Sequence, residues 1–360
     1  PSDPPGAHRL QGPEGRHDRR PVTDRSVPSY PRVRRNLGGR RGSDPTVPSP
    51  TTDPTDPPTM DLRAAAHPGP ATAIVFPGQG SQAPGLGRPW VDRPQWRIVR
   101  QAERASGLDL SRLLLDADHE ELAGTRTSQL VVLVASLLAW EDAVAELDPT
   151  DVVAVAGHSL GQITALIAAK VVTLADGIRL AAARAEAAEQ TQRADPGGMV
   201  ALLGADVDLV ERACAATDGR AWVAIHNGAG QVVVGAEEAA LDEVAGWAVA
   251  LGCRRATRLA VDGAFHTPLH QPTAEALLPT LAGITFGAPR WPVVTNHDAR
   301  PVLDGDGWPE RLVAHLVEPV RWDATVTRLA AMGTRRFVEV GPGRSLSGLI
   351  RRITPDLECV

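Results

Sequence analysis

The sequence has 360 residues, 43% of them hydrophobic and 22% charged, enough to bury the core of one large domain and a smaller one. A formal net charge of −6 removes any electrostatic reason to expect nucleic acid or an anionic membrane as a partner. The three cysteines, Cys214, Cys253 and Cys359, are odd in number and lack metal-ligand spacing. Neither a disulfide framework nor a metal site is therefore expected, and a reducing, cytoplasmic setting fits best.

Residues 1–59 hold 13 of the 31 prolines and almost no apolar periodicity, so they cannot bury enough surface to offset chain entropy. Residues 1–70 are accordingly read as a disordered, Pro/Arg-rich segment. Met60, the first methionine, stands shortly before an apolar strand pattern and reads as a natural start, the alternative being a linker from a longer polypeptide. Interspersed acids such as Asp3, Glu14, Asp18 and Asp24 argue against a targeting peptide. No apolar run approaches the roughly 18 residues of a membrane span.

From Thr72 onward short apolar runs alternate with helical stretches, the pattern of an α/β domain with a mostly parallel sheet. Strands are predicted at Thr72 to Phe76, Val152 to Ala156, Val293 to Thr295 and Arg335 to Val340. Between them, Met199 to Leu203, Trp222 to His226, Val232 to Gly235 and Thr257 to Val261 read as strands, with helices at Asp206 to Ala216 and Glu237 to Leu251. That β/α/β/β/α/β order predicts a small ferredoxin-like subdomain inserted into the large one. The expected division is 71–196 and 263–355 for the two parts of the large subdomain and 197–262 for the small one.

The apolar run Val152 to Ala156 leads into Gly157-His158-Ser159-Leu160-Gly161, a G-x-S-x-G pentapeptide between a strand and a helix-forming stretch. In that setting a sharp turn exposes the serine hydroxyl at a helix start, where the Leu160 amide and helix dipole can stabilise an oxyanion. A serine hydroxyl needs a base at neutral pH. His266, in Gly263-Ala-Phe-His266-Thr-Pro, lies on a loop after the small subdomain, where a histidine taken alone is more often structural or solvated than catalytic; His158 is expected to shape the turn. Thr173 and Asp176 form a capping box for a helix running to about Gln192. On that helix Arg184 has Leu180, Ala181, Ala187 and Ala188 at i±3 and i±4, so its guanidinium either snorkels to water or is buried against an anion. Arg179, with Asp176 three residues earlier, has an ordinary surface partner.

Six segments now stand in a recognisable order: Phe76-Pro-Gly-Gln79-Gly-Ser-Gln82, Gly157 to Gly161, Arg184, Gly263 to His266, Glu318-Pro-Val-Arg-Trp322 and Glu339-Val-Gly-Pro-Gly343. Over roughly residues 72 to 353 the chain resembles malonyl-CoA:acyl carrier protein transacylases and the acyltransferase domains of polyketide synthases. The resemblance implies a large α/β-hydrolase-like domain and a ping-pong transfer from malonyl-CoA to the pantetheine thiol of an acyl carrier protein. It implies Ser159 as nucleophile, His266 as base, Gln79 with Leu160 as the oxyanion hole, and Arg184 as a clamp on the substrate carboxylate. His315 falls where the family often has Gln to orient the histidine, a role that a main-chain contact would preserve. Gln129, Phe265 and Asn227 are candidate acyl-pocket residues, each with a plainer reading as helix start, core aromatic and Asn-Gly turn respectively. Phe265 matches malonyl-preferring members, in which a bulky ring limits room for an α-methyl branch, and Ala188 could loosen that limit. Gln162 replaces the family's usual Glu. No cofactor or metal is implied, because a thioester is already activated, and the enzyme is expected to be a monomer.

Two other classes compete. A serine hydrolase of the α/β-hydrolase type shares the turn and the order Ser before His, but it normally places an acidic residue between them and a glycine-rich oxyanion loop upstream. A decayed acyltransferase that only binds carrier proteins would have no physical need for a serine paired with a base.

Overall fold

In the computed structural model, which describes residues 71–360, the buried run Thr72–Phe76 forms β1 at the middle of the main sheet. The expectations for residues 1–70 and for Met60 lie outside the described residues. The chain continues through α1 (Arg97–Ser106), α2 (Leu110–Leu115) and α3 (Thr125–Glu146) into β2 (Val152–Gly157), α4 (Gly161–Ala168) and α5 (Leu174–Ala194). There follow β3 (Gly197–Leu203), α6 (Val207–Ala215), β4 (Ala221–Gly228), β5 (Gln231–Glu237), α7 (Leu241–Ala250) and β6 (Arg255–Arg258). The chain then passes through α8 (Gln271–Ala282), β7 (Val293–Val294), β8 (Pro301–Val302), α9 (Trp308–Val317) and β9 (Val320–Arg321). It ends with α10 (Trp322–Ala331), β10 (Arg336–Glu339), α11 (Ser345–Ile353) and β11 (Glu358–Cys359).

The main sheet has the order β11-β10-β1-β2-β7-β8 and is parallel except where β8 turns back along β7. Its strands read as unbroken apolar runs because both faces are covered, which is why alternation is absent from Thr72–Phe76 and Val152–Gly157. The second sheet has the order β6-β3-β5-β4-β9. Its first four strands are antiparallel and follow the β/α/β/β/α/β order of the expected ferredoxin-like unit, while β9 joins the edge of β4 in parallel.

Two predicted elements shift. The strand expected at 257–261 is β6, Arg255–Arg258: Leu259 makes one last bond to the Met199 carbonyl, then the chain leaves the ladder and Leu259 and Val261 line a cleft. The helix expected from Glu237 starts at Leu241, because Glu237 is still paired in β5 with Gly197 and a 3-10 turn intervenes. Thr173 does cap α5, accepting from the Asp176 amide at 3.0 Å, but its hydroxyl donates to the Asp176 carboxylate at 2.8 Å in place of the reciprocal backbone bond of a capping box. Arg179 pairs with Asp176 at 2.7 Å as expected.

The expectation that no stretch suits a membrane span is corrected by α3. Its charges sit near its ends, Arg126 on one side and Glu141, Asp142 and Glu146 on the other, leaving an 18-residue window of mean hydropathy 1.5. Two-thirds of that window is buried inside the protein, where Leu130, Leu133, Leu137 and their neighbours join the core on one face of the main sheet. A helix that is apolar all round is a core helix or a span, and burial of most of this window inside the protein is the pattern of a core helix.

Candidate active site

The turn between β2 and α4 is held in a form most side chains avoid. Ser159 has φ +51°, in the left-handed region, and its neighbours Gly157 and Gly161 are glycines because of close approach. A Cβ on Gly157 would collide with the Gly161 carbonyl, and one on Gly161 with the Phe76 carbonyl. Asn296 buckles the turn from outside. Its Oδ1 accepts from the Ser159 amide at 2.8 Å, its Nδ2 donates to the Gly157 carbonyl at 2.7 Å, and its own amide donates to Gln162 Oε1 at 2.8 Å. Gln162 thus supplies an acceptor without a carboxylate, while its Nε2 is buried with no partner among the described residues.

The serine hydroxyl lies 2.7 Å from Nε2 of His266, which reaches it from the loop after β6. His266 is buried and has φ +61°, so the loop is shaped to aim the ring. Its Nδ1 donates to the His315 carbonyl at 2.7 Å. A carbonyl can only accept, so Nδ1 carries the proton in the neutral ring and Nε2 presents a lone pair to Ser159. The partner of the base is the main chain of residue 315; the His315 side chain makes no bond to His266, and its Nε2 is buried without a partner among the described residues. No carboxylate is bonded to His266 among the described residues, which distinguishes the pair from a Ser-His-acid triad.

Arg184 is 4% exposed on α5, and the buried option is the one realised. Its Nη1 donates to Gln129 Oε1 at 2.5 Å and its Nη2 lies 3.4 Å from the Ser159 hydroxyl. Among the described residues no carboxylate pairs with it. Burial lowers its pKa to about 10, so it remains a cation at neutral pH. Burial, and then the nearby Arg184 charge, hold His266 well below the ordinary imidazole range.

These groups border a cleft lined by Gln79, Ser159, Leu160, Arg184, Phe265 and His266 together with Met199 and Ile225 of the small sheet and Leu259 and Val261 beyond its edge strand. The backbone amides of Gln79 and Leu160 have no acceptor among the described residues, and Gln79 Nε2 is likewise unpartnered. Gln129 and Asn227, expected at the acyl pocket, stand one layer behind its wall. Gln129 holds Arg184 and donates to Gln79 Oε1 at 3.4 Å, while Asn227 Oδ1 accepts from His158 Nε2 at 3.0 Å. His158 itself lines the cleft, edge-on to Trp322. Asn296 escaped sequence reasoning. Asn296 follows a predicted strand at the carboxyl edge of a parallel sheet, where sites form, and that position was the available signal. Among the described residues no group of three or more His, Cys, Asp or Glu side chains could hold a metal.

A serine hydroxyl bonded to an imidazole of fixed tautomer, two amides without an acceptor among the described residues and a buried cation without a carboxylate among them suit acyl transfer involving a substrate with a negative end. Comparison with known proteins is in accord. The family described as "Acyl transferase domain" matches residues 73–352. The malonyl CoA-acyl carrier protein transacylase of Haemophilus influenzae is 36% identical over 297 residues, 80% of this chain and 94% of that protein. The crystal structure of malonyl-CoA:acyl carrier protein transacylase from Xanthomonas oryzae pv. oryzae superposes with a TM-score of 0.76 at 36% identity, covering 81% of this chain and 94% of that one. A malonyl-transacylase in complex with its type II PKS acyl-carrier protein superposes at 0.74 and 34% identity, covering 80% and 94%.

Proposed function

The chain belongs to the acyl transferase domain family, and from that premise we propose that it moves a malonyl group from coenzyme A to the phosphopantetheine thiol of an acyl carrier protein, in fatty-acid or polyketide synthesis. The single observation carrying this reading is the convergence on one hydroxyl of His266 Nε2 at 2.7 Å and the buried, carboxylate-free Arg184 at 3.4 Å.

In the first half-reaction Ser159 gives its proton to His266 Nε2 and its oxygen attacks the thioester carbonyl. The oxyanion forms against the amides of Leu160 and Gln79; losing one such donor costs on the order of 3 kcal/mol. The tetrahedral adduct collapses to a malonyl-serine ester, the carbon–sulfur bond breaks, and the coenzyme A sulfur takes the proton back from His266. In the second half the carrier thiol repeats the sequence on the ester, and Ser159 regains its proton. A carbonyl in place of a carboxylate behind the base suffices because a thioester is an activated acyl donor. Arg184 binds the free carboxylate of the malonyl group, Gln129 keeps its guanidinium in place, and Phe265 bounds the acyl chamber.

Intact mass spectrometry after incubation with malonyl-CoA should show a malonyl adduct that is absent in Ser159→Ala, and added carrier protein should discharge it. Dominant release of free malonate would favour a hydrolase. An unlabelled protein would favour a binding module. We further propose a division into 71–196 with 263–355 around 197–262, and a cytoplasmic monomer acting apart from membranes and nucleic acid. The burial of α3, the unpaired thiols and the acidic net charge support that setting.

A further inference from the structure

The transfer reaction leaves one buried aromatic contact unused. Phe265 lines the acyl cleft with only 7% of its surface exposed, and its ring stacks on the imidazole of His270, centroids 4.6 Å apart and planes 21° apart. Gly263, at φ +130°, makes room for both: a Cβ there would lie 3.2 Å from Phe265 and 3.3 Å from His270. His270 is itself pinned. Its Nδ1 is 3.0 Å from the Thr273 hydroxyl, which is 2.8 Å from the Thr191 hydroxyl. Thr191 belongs to α5, two turns beyond Arg184, so this buried chain ties the Phe265 ring to the same helix that carries the cation. The Arg184 guanidinium carbon lies 6.0 Å from the Phe265 centroid. Burial and the Arg184 charge lower the His270 pKa to about 3, so the stack is between two neutral rings at working pH.

We infer that His270 is a positioning residue for acyl selectivity: stacked on Phe265 and tethered through Thr273 to α5, it fixes that ring against the acyl chamber and so excludes α-branched malonyl groups. This rests on the malonyl-transfer reading above. A ring that can rotate away admits an additional methyl; one that cannot makes the methyl pay in overlap or strain. The inference differs from a claim about the core, because a loss of folded protein lowers transfer of both substrates equally, whereas a moved wall changes their ratio.

The test is kcat/KM for malonyl-CoA and methylmalonyl-CoA with the full chain and an acyl carrier protein. His270→Ala should raise the methylmalonyl-to-malonyl ratio about 10-fold, the scale of one methyl in an apolar pocket, with malonyl transfer nearly unchanged. His270→Phe, which keeps a flat ring on Phe265, should retain the original ratio. Thr273→Val, which cuts the tether at nearly constant volume, should move the ratio in the same direction as Ala and stands in should the alanine variant fail to fold. A ratio unmoved in His270→Ala or Thr273→Val, with malonyl still transferred, overturns the inference alone. Absence of malonyl transfer by the unaltered chain overturns the functional reading with it.

Discussion

Arg184 is a buried cation for which no described residue supplies a counter-charge, and burying a charge without a partner is costly. On the proposed reading a substrate carboxylate completes the pair, and binding then offsets the cost of burying the guanidinium. The charge also acts on the base, since Arg184 follows burial as a cause of the depressed His266 pKa. His266 works as a base only when neutral, that is, above its pKa, so transfer should persist well below pH 6.5 and fall only as pH passes through that lowered value. Arg184→Ala should cut malonyl transfer roughly 10²-fold or more, the scale for truncating one member of a buried charge pair, while sparing acetyl transfer. It should also move the acid limb of the acetyl rate upward in pH, because one lowering influence on His266 has gone. A pH profile with acetyl-CoA checks the sign; an unmoved limb would show that the cation does not tune the base. The turn at Ser159 and the apolar surroundings of Arg184 were legible as local patterns, whereas His266 stood out only through the family resemblance. Asn296 was not legible, since its meaning depends on a bond to the Ser159 amide across 137 residues.

Among the elements, the strand-turn-helix at Ser159 holds its central residue in the left-handed region. Ser159 at φ +51° persists because Asn296 pairs with both the Ser159 amide and the Gly157 carbonyl. Asn296→Ala leaves those two backbone groups without their partner and should cost about 1–3 kcal/mol, read as a lower midpoint in urea unfolding. It should lower kcat up to about 10²-fold by relaxing the hydroxyl away from His266, with KM for malonyl-CoA little changed because Arg184 is untouched. A fall in stability with kcat intact would mean that Asn296 only supports the fold. Element type was readable where apolar runs are buried on both faces, as in β1 and β2. Boundaries failed where apolar residues serve the cleft instead of the ladder: Leu259 and Val261 look like strand and are wall.

At the scale of the molecule, each sheet has an apolar cluster on its outer face, and the two sheets share a third between them. One apolar cluster gathers Val75 and Ala154 from the main sheet, Met199, Ile225 and Val233 from the small sheet, and Trp322 from α10. Two further ties cross the same boundary: β9 pairs with β4, and His158 at the turn bonds Asn227 at the end of β4. The cleft opens at the rim of this shared core, so the wall contributed by the small sheet is held at a fixed place relative to the hydroxyl by packing. Trp322 is fully buried there and meets His158 edge-on, ring centroids 5.3 Å apart. Trp322→Ala should therefore destabilise by about 3–5 kcal/mol, the range for emptying a large aromatic site. Because the cluster belongs to both sheets, loss of secondary structure and loss of Ser159 labelling by malonyl-CoA should follow one denaturant transition with a common midpoint, in the variant as in the unaltered chain. Two separated midpoints would show that the small sheet unfolds on its own, and the wall proposed to set acyl selectivity would have to be held by some other contact.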